Sequence, residues 1–95
     1  MRSNRIREIA ASGHPAVGAW VGTPAPVVGE LFGHLGFDAV AVDLQHSMIG
    51  IDPCIAVLQA VSATPAVPFV RVSGNHFAEI NKVLDAGAYG VICPL

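Results

Sequence analysis

The fold is decided by the stretch Phe37-Asp38-Ala39-Val40-Ala41-Val42-Asp43. Its small and β-branched residues form a short, nearly continuous apolar run, which is typical of a strand buried on both faces. Gly36 precedes the run and a polar loop, residues 44–50, follows it. Such a strand predicts a parallel sheet that is covered by helices.

The same pattern recurs along the chain. Apolar runs at residues 17–21, 68–72 and 90–94 predict three further strands. Segments with helical spacing of apolar residues alternate with the strands. The predicted helices cover residues 3–11, the segment from Pro24 and Pro26 to a stop at Gly36, the segment from an N-cap at Asp52 to the break at Pro65, and the segment from Phe77 to a stop at Gly87.

The spacing of apolar residues also indicates which face of a helix packs into the core. In the second and fourth helices, every third or fourth residue is apolar, and we expect that stripe to be buried. The stripes consist of Val27, Val28, Leu31, Phe32 and Leu35 in the second helix, and of Phe77, Ile80, Val83 and Leu84 in the fourth.

Alternating strands and helices indicate right-handed crossover units. Strand centres fall near residues 19, 40, 69 and 91. A TIM barrel contains eight such units in about 200 residues or more. We therefore predict an α/β fold in which residues 1–95 form a single partial (β/α)₈-barrel domain, namely its first four strands.

Composition excludes several classes of function. Charged residues make up 13% of the chain and the net charge is −2, so no basic surface for nucleic acid or acidic lipid is expected. Residues 9–29 and 53–70 lack charges, but prolines interrupt both and neither predicts a membrane span. The first residues lack the apolar core of a secretory signal, and we expect a cytoplasmic protein.

Cys54 and Cys93 are far apart and are expected to be buried rather than to bind zinc or form a redox pair.

Functional side chains of parallel α/β folds collect at the carboxyl ends of the strands. The predicted strands end near Trp20, at Asp43 with His46 shortly after it, and at Arg71. Arginine can hold a carboxylate or enolate, and histidine can transfer protons near neutral pH. Structural roles are also open: Arg71 could pair with Asp43 or Asp85, Trp20 could pack in the core, and His46 could be a hydrogen-bonded structural residue.

Several motifs carry a family resemblance. Val42-Asp43-Leu44-Gln45-His46, the strand at 69–72, the run at 84–94, GAWVGTP at 18–24 and ELFGHLGFD at 30–38 together resemble the HpcH/HpaI aldolases. These are class II, metal-dependent 2-keto acid aldolases. The resemblance covers nearly the whole chain, and the order of the motifs makes it specific.

The resemblance implies a (β/α)₈ barrel that reversibly cleaves 4-hydroxy-2-keto acids into pyruvate and an aldehyde through a metal-bound enolate. It implies that His46 is the acid/base residue and that Arg71 binds the 2-keto acid. Trp20 would border the pocket, Asp43 would orient the loop with His46, and Asp85 would partner the histidine of a neighbouring subunit in a homo-oligomer.

The chain departs from the family pattern in three respects. Gln45 stands where many members have Glu, and Ser47 stands where Gly is usual. The family's divalent ion, Mg, Mn or Co, is held by a Glu and an Asp at the ends of later strands. No metal ligand is therefore assigned in this chain.

Three hypotheses remain open. The chain is a 2-keto acid aldolase that is competent if further strands are supplied, a catalytically inactive half-barrel, or another keto-acid lyase or isomerase that shares Arg71 and His46.

Overall fold

The computed structural model describes residues 2–95 and shows helices and strands in alternation. The helices agree with the predicted ones to within a few residues at each end. The elements are α1 (Arg5–Ala11), β1 (Gly18–Val21), α2 (Pro26–His34), β2 (Ala39–Asp43), α3 (Ile51–Ser62), β3 (Val67–Arg71), α4 (Phe77–Asp85) and β4 (Gly90–Ile92).

The four strands form one parallel sheet in the order β1-β2-β3-β4. Each consecutive pair is joined through a helix, so the chain consists of repeated β/α units like those of a TIM barrel. The register pairs Asp43 with Arg71 at the carboxyl ends of β2 and β3. The predicted parallel α/β fold is confirmed.

The two faces of the sheet differ in their burial. On one face, Val40, Val42 and Val70 are fully buried with residues of the helices, such as Leu58. Side chains alternate along a strand, so the other face carries the residues between these positions. That face is only partly covered and carries Trp20, Ala41, Asp43, Phe69, Arg71 and Ile92.

Helix α2 packs on α3 through glycine, and the predicted core stripe is wrong for this helix. Gly29 and Gly33 are buried, whereas Val27, Leu31 and Leu35 are 68%, 55% and 61% exposed. Side chains at the two glycines would collide with α3 and with Thr64, which follows its C-cap, so the buried face of α2 is centred on residues without side chains. Val28 and Phe32 flank the glycines and pack against the core as predicted.

Three other local predictions need correction. The N-cap of α3 is Gly50, and Asp52 lies in the first turn. In α4, Phe77 and Leu84 are exposed, because only Val83 and Ile80 reach the core. Cys54 is buried, but Cys93 is exposed because it follows the last residue of the edge strand β4.

Helix α1 lies at the amino ends of the strands. Arg5 pairs with Asp38, which precedes β2, at 3.1 Å. The Asn4 side chain donates to the carbonyl of Tyr89, just before β4, at 3.0 Å. Helix α1 therefore occupies the end of the sheet opposite Asp43 and Arg71. Among residues 2–95, no helix has both the length and the apolar character needed to cross a membrane.

Candidate active site

The centre of the candidate site is an ion pair between two neighbouring strand ends. Arg71 Nε donates to Asp43 Oδ1 at 2.9 Å, and Arg71 Nη2 donates to Asp43 Oδ2 at 2.8 Å. The two residues are partners in the sheet register, so the backbone places them side by side and their side chains make this two-point contact. Of the two ion pairs that the sequence left open for Arg71, the structure shows the one with Asp43 and not the one with Asp85.

Trp20 lies against the same guanidinium. Its strand position pairs with Ala41, two residues before Asp43, so its side chain is on the same face of the sheet as the ion pair. The Arg71 Cζ atom lies 4.6 Å from the ring centroid, within the range of a cation–π contact. The indole is 49% exposed. Trp20 is therefore not a core residue but one wall of an open site.

The ion pair changes the protonation of both partners. The Arg71 hydrogen bond lowers the pKa of Asp43 to about 2, assisted by the backbone N–H groups of Gln45 and His46 and opposed by burial. The same hydrogen bond raises the pKa of Arg71. Both groups are therefore charged at neutral pH. The arginine side chain is 25% exposed, and its guanidinium has further N–H donors beyond the two bound to Asp43.

Asp43 also organises the loop that carries His46. Its Oδ1 accepts from the backbone N–H of Gln45 at 2.9 Å and of His46 at 3.3 Å. The His46 side chain is exposed, and that of Gln45 is half-buried. Ser47 Oγ donates to the carbonyl of Asp43 and accepts from the N–H of Ile49 at 3.1 Å. The sequence offered one signal for this role of Ser47, a hydroxyl shortly after an aspartate that ends a strand.

Asp85 does not join this cluster within the chain. It is the last residue of α4 and is exposed. Helix α4 leads back to the start of β4, so Asp85 lies towards the amino ends of the strands. Its predicted role across a subunit boundary stays a prediction.

The described residues do not fit a divalent ion. Within residues 2–95, no three His, Cys, Asp or Glu side chains come together in a way that could hold a metal. Asp43 is the carboxylate of the cluster, and both of its oxygens are already bonded to Arg71. Its Oδ1 also accepts the two loop N–H groups, so it has little capacity left for a metal.

A cavity of about 300 Å³ lies away from this cluster. It is at the amino ends of the strands, between the N-terminal residues and the end of α4. None of the predicted site residues lines it; the lining residues are Arg2, Asn4, Arg7, Leu84, Gly87, Ala88 and Tyr89. We place the candidate site at the carboxyl ends of the strands because the charged cluster is there.

Comparison with known proteins identifies the family. A family model described as HpcH/HpaI aldolase/citrate lyase matches residues 16–95. The chain belongs to this family. The candidate site is thus the carboxyl-end rim of an HpcH/HpaI chain, where α/β enzymes carry their functional groups.

Individual relatives of this HpcH/HpaI chain include named aldolases. It is 39% identical over 92 residues to the hydroxypyruvate/pyruvate aldolase of Rhizorhabdus wittichii, covering 97% of this chain and 37% of that protein. It is 30% identical over 93 residues to a 4-hydroxy-2-oxo-heptane-1,7-dioate aldolase of Klebsiella pneumoniae, covering 98% of this chain and 35% of that protein.

Two solved structures also superpose on most of this chain. An HpcH/HpaI aldolase/citrate lyase family protein from Burkholderia cenocepacia superposes with a TM-score of 0.88 at 25% identity, covering 98% of this chain and 37% of that one. The citrate synthase SbnG superposes with a TM-score of 0.86 at 30% identity, covering 95% of this chain and 37% of that one. The chain thus spans just over a third of the length of the proteins it matches.

Proposed function

We propose that this chain supplies the oxo-acid-binding and proton-transfer groups of an aldolase that reversibly cleaves a 4-hydroxy-2-keto acid into pyruvate and an aldehyde. One observation carries the proposal. Arg71 is held at a strand end by Asp43 and Trp20, and Asp43 also binds the backbone of His46. Membership of an aldolase/lyase family supports it.

The cleavage requires one group that removes a proton and one that stabilises an anion. A base takes the proton from the C4 hydroxyl, the C4–O bond becomes a carbonyl, and the C3–C4 bond breaks. The electron pair of that bond moves to the C2–C3 fragment and gives the enolate of pyruvate. Protonation at C3 then yields pyruvate.

Arg71 is suited to the anionic fragment. Its charge is permanent, and the contacts with Asp43 and Trp20 fix the plane of the guanidinium before the substrate arrives. A preorganised cation stabilises charge that develops in the transition state without having to reorient. His46 is the proposed base, because its exposed side chain is on the loop that begins at the same strand end.

The proposal is tested by measuring pyruvate release from a 4-hydroxy-2-keto acid by the full chain, with added Mg²⁺, Mn²⁺ or Co²⁺ and with EDTA. We expect His46→Ala to lower kcat about 10²- to 10⁴-fold through loss of the base. Arg71→Ala should lower kcat about 10²-fold or more and also weaken pyruvate binding. Because Trp20 touches Arg71, its fluorescence provides the binding signal.

The matched controls are His34→Ala and Arg7→Ala, which replace exposed residues on α2 and α1. Both should keep full activity. Unchanged turnover in His46→Ala or Arg71→Ala would remove that residue from the mechanism. If the wild-type chain released no pyruvate under any condition, the inactive half-barrel would be favoured instead.

A further inference from the structure

The loop between β2 and α3, residues 44–50, contains no regular secondary structure. It nevertheless carries His46, whose position matters for proton transfer, since catalytic groups must be held to within about half an ångström of the productive geometry. Side-chain hydrogen bonds must therefore give the loop its shape.

The first half of the loop is held by Asp43. Its carboxylate accepts the N–H groups of Gln45 and His46, as in an Asx-turn. The N–H of Leu44 donates to the carbonyl of Arg71 at 2.9 Å, which continues the sheet ladder by one residue. These bonds lie at or before His46 and do not restrain the residues after it.

The second half of the loop is held by the hydroxyl of Ser47. It donates to the carbonyl of Asp43, at the strand end, and accepts the N–H of Ile49 at 3.1 Å. Ile49 is buried in the core, so this bond ties the loop to a fixed point. The Ser47 Cβ also faces Gly22 in the loop after β1, where an added methyl group would lie 3.9 Å from it. His46 is thus restrained from both sides in sequence.

We propose that Ser47 is a positioning residue that fixes the backbone of His46 for proton transfer. The inference rests on the proposed function for its catalytic consequence, although its structural content does not depend on turnover. A glycine at this position would have no hydroxyl to make either bond.

The test compares Ser47→Ala and Ser47→Thr in the full chain. In Ser47→Ala, we expect the amide hydrogens of His46 and Ile49 to exchange about fivefold to tenfold faster, because one hydrogen bond contributes on the order of 1 kcal/mol. We expect kcat to fall about tenfold with KM nearly unchanged, since Arg71 still binds the oxo acid. Ser47→Thr keeps a hydroxyl and should restore both values.

The control is Ser62→Ala, an exposed serine at the end of α3 whose side chain makes no hydrogen bond among residues 2–95. It should change neither exchange nor kcat. Unchanged exchange in Ser47→Ala, or no recovery in Ser47→Thr, would overturn the proposal. Faster exchange with unchanged kcat would also overturn it, because the loop restraint would then not serve proton transfer.

The wild-type chain provides a further check that does not depend on how the variants fold. The N–H of Ile49 should be protected from exchange, whereas that of Met48, which has no hydrogen-bond partner among the described residues, should exchange quickly. Equal exchange at both positions would overturn the proposal. If the wild type shows the expected protection but no turnover, the proposed function fails while the restraint on the loop stands.

Discussion

At the residue scale, a single carboxylate joins the two candidate catalytic groups. Asp43 bonds both to the guanidinium of Arg71 and to the backbone that carries His46. The sequence could predict that these residues share one rim, because strand ends of a parallel sheet meet at the same edge. It left open whether Arg71 would pair with Asp43 or with Asp85, since a register match between residues 28 positions apart is a tertiary contact.

The Asp43 carboxylate should make the free energy of unfolding depend on pH in the acid range. The pKa of Asp43 is about 2 in the folded chain, against an ordinary value of 3.8. A lowered pKa contributes stability that is complete above pH 3.8 and is lost as the pH falls through about 2. We therefore expect the free energy of unfolding of the wild type to exceed that of Asp43→Asn above pH 4, and the difference to shrink towards pH 2.

Urea denaturation followed by the fluorescence of Trp20 measures that difference. The control is Asp52→Asn, which removes an exposed carboxylate in the first turn of α3, outside the cluster. It should not reproduce the pH-dependent difference expected for Asp43→Asn. A difference between wild type and Asp43→Asn that stays constant from pH 5 to pH 2 would contradict the assignment.

At the scale of elements, hydrophobic periodicity located the helices better than it located their buried faces. The spacing in α2 favoured a stripe with Val27, Leu31 and Leu35, yet α3 approaches the face that contains Gly29 and Gly33. A close helix–helix contact gains packing along both backbones, and glycine is what permits that approach. Hydrophobicity alone does not reveal such a surface, because glycine contributes no apolar side chain to the pattern.

The close approach of α2 to Thr64 predicts that adding one methyl group at Gly33 lowers the free energy of unfolding. In Gly33→Ala, the new Cβ would come within 2.7 Å of Thr64 Cβ. Thr64 is buried, and its hydroxyl donates to Val61 and accepts from Ala66, so it has little freedom to move. Alanine favours a helix by about 1 kcal/mol over glycine, but overpacking costs about 1–3 kcal/mol. We expect a net loss of about 1 kcal/mol or more in the free energy of unfolding.

Gly18→Ala is the matched control in the same denaturation experiment. At that position on β1, an added Cβ would make only ordinary contacts with Ala39, at 3.7 and 3.9 Å. Its stability should be unchanged or slightly higher. Equal stability of Gly33→Ala and the wild type would show that Thr64 can move away from α2 without cost.

At the scale of the whole molecule, the alternation of apolar runs and helical segments was sufficient to predict a parallel α/β sheet. Crossover connections have one favoured hand, and strands with two buried faces are nearly continuous in apolar residues. What the pattern could not show is how completely each face is covered. In the described part of the chain, helices cover the face with Val40 and Val70, while the face with Trp20 stays partly open.

That open face, together with the sheet edges, leads us to expect self-association. Within residues 2–95, β1 and β4 each have a single neighbouring strand, so each leaves a row of backbone groups free to pair. Ile92 on β4 and Trp20 on β1 add exposed apolar surface beside these edges.

Sedimentation velocity over a range of concentrations should show species larger than a monomer. Ile92→Asn, which lowers strand propensity at one edge, should shift the distribution towards the monomer, whereas Leu31→Gln on the exposed side of α2 should not. A monomer at every concentration would contradict the expectation, and a larger effect of Leu31→Gln would place the contact on α2 rather than at the sheet edge.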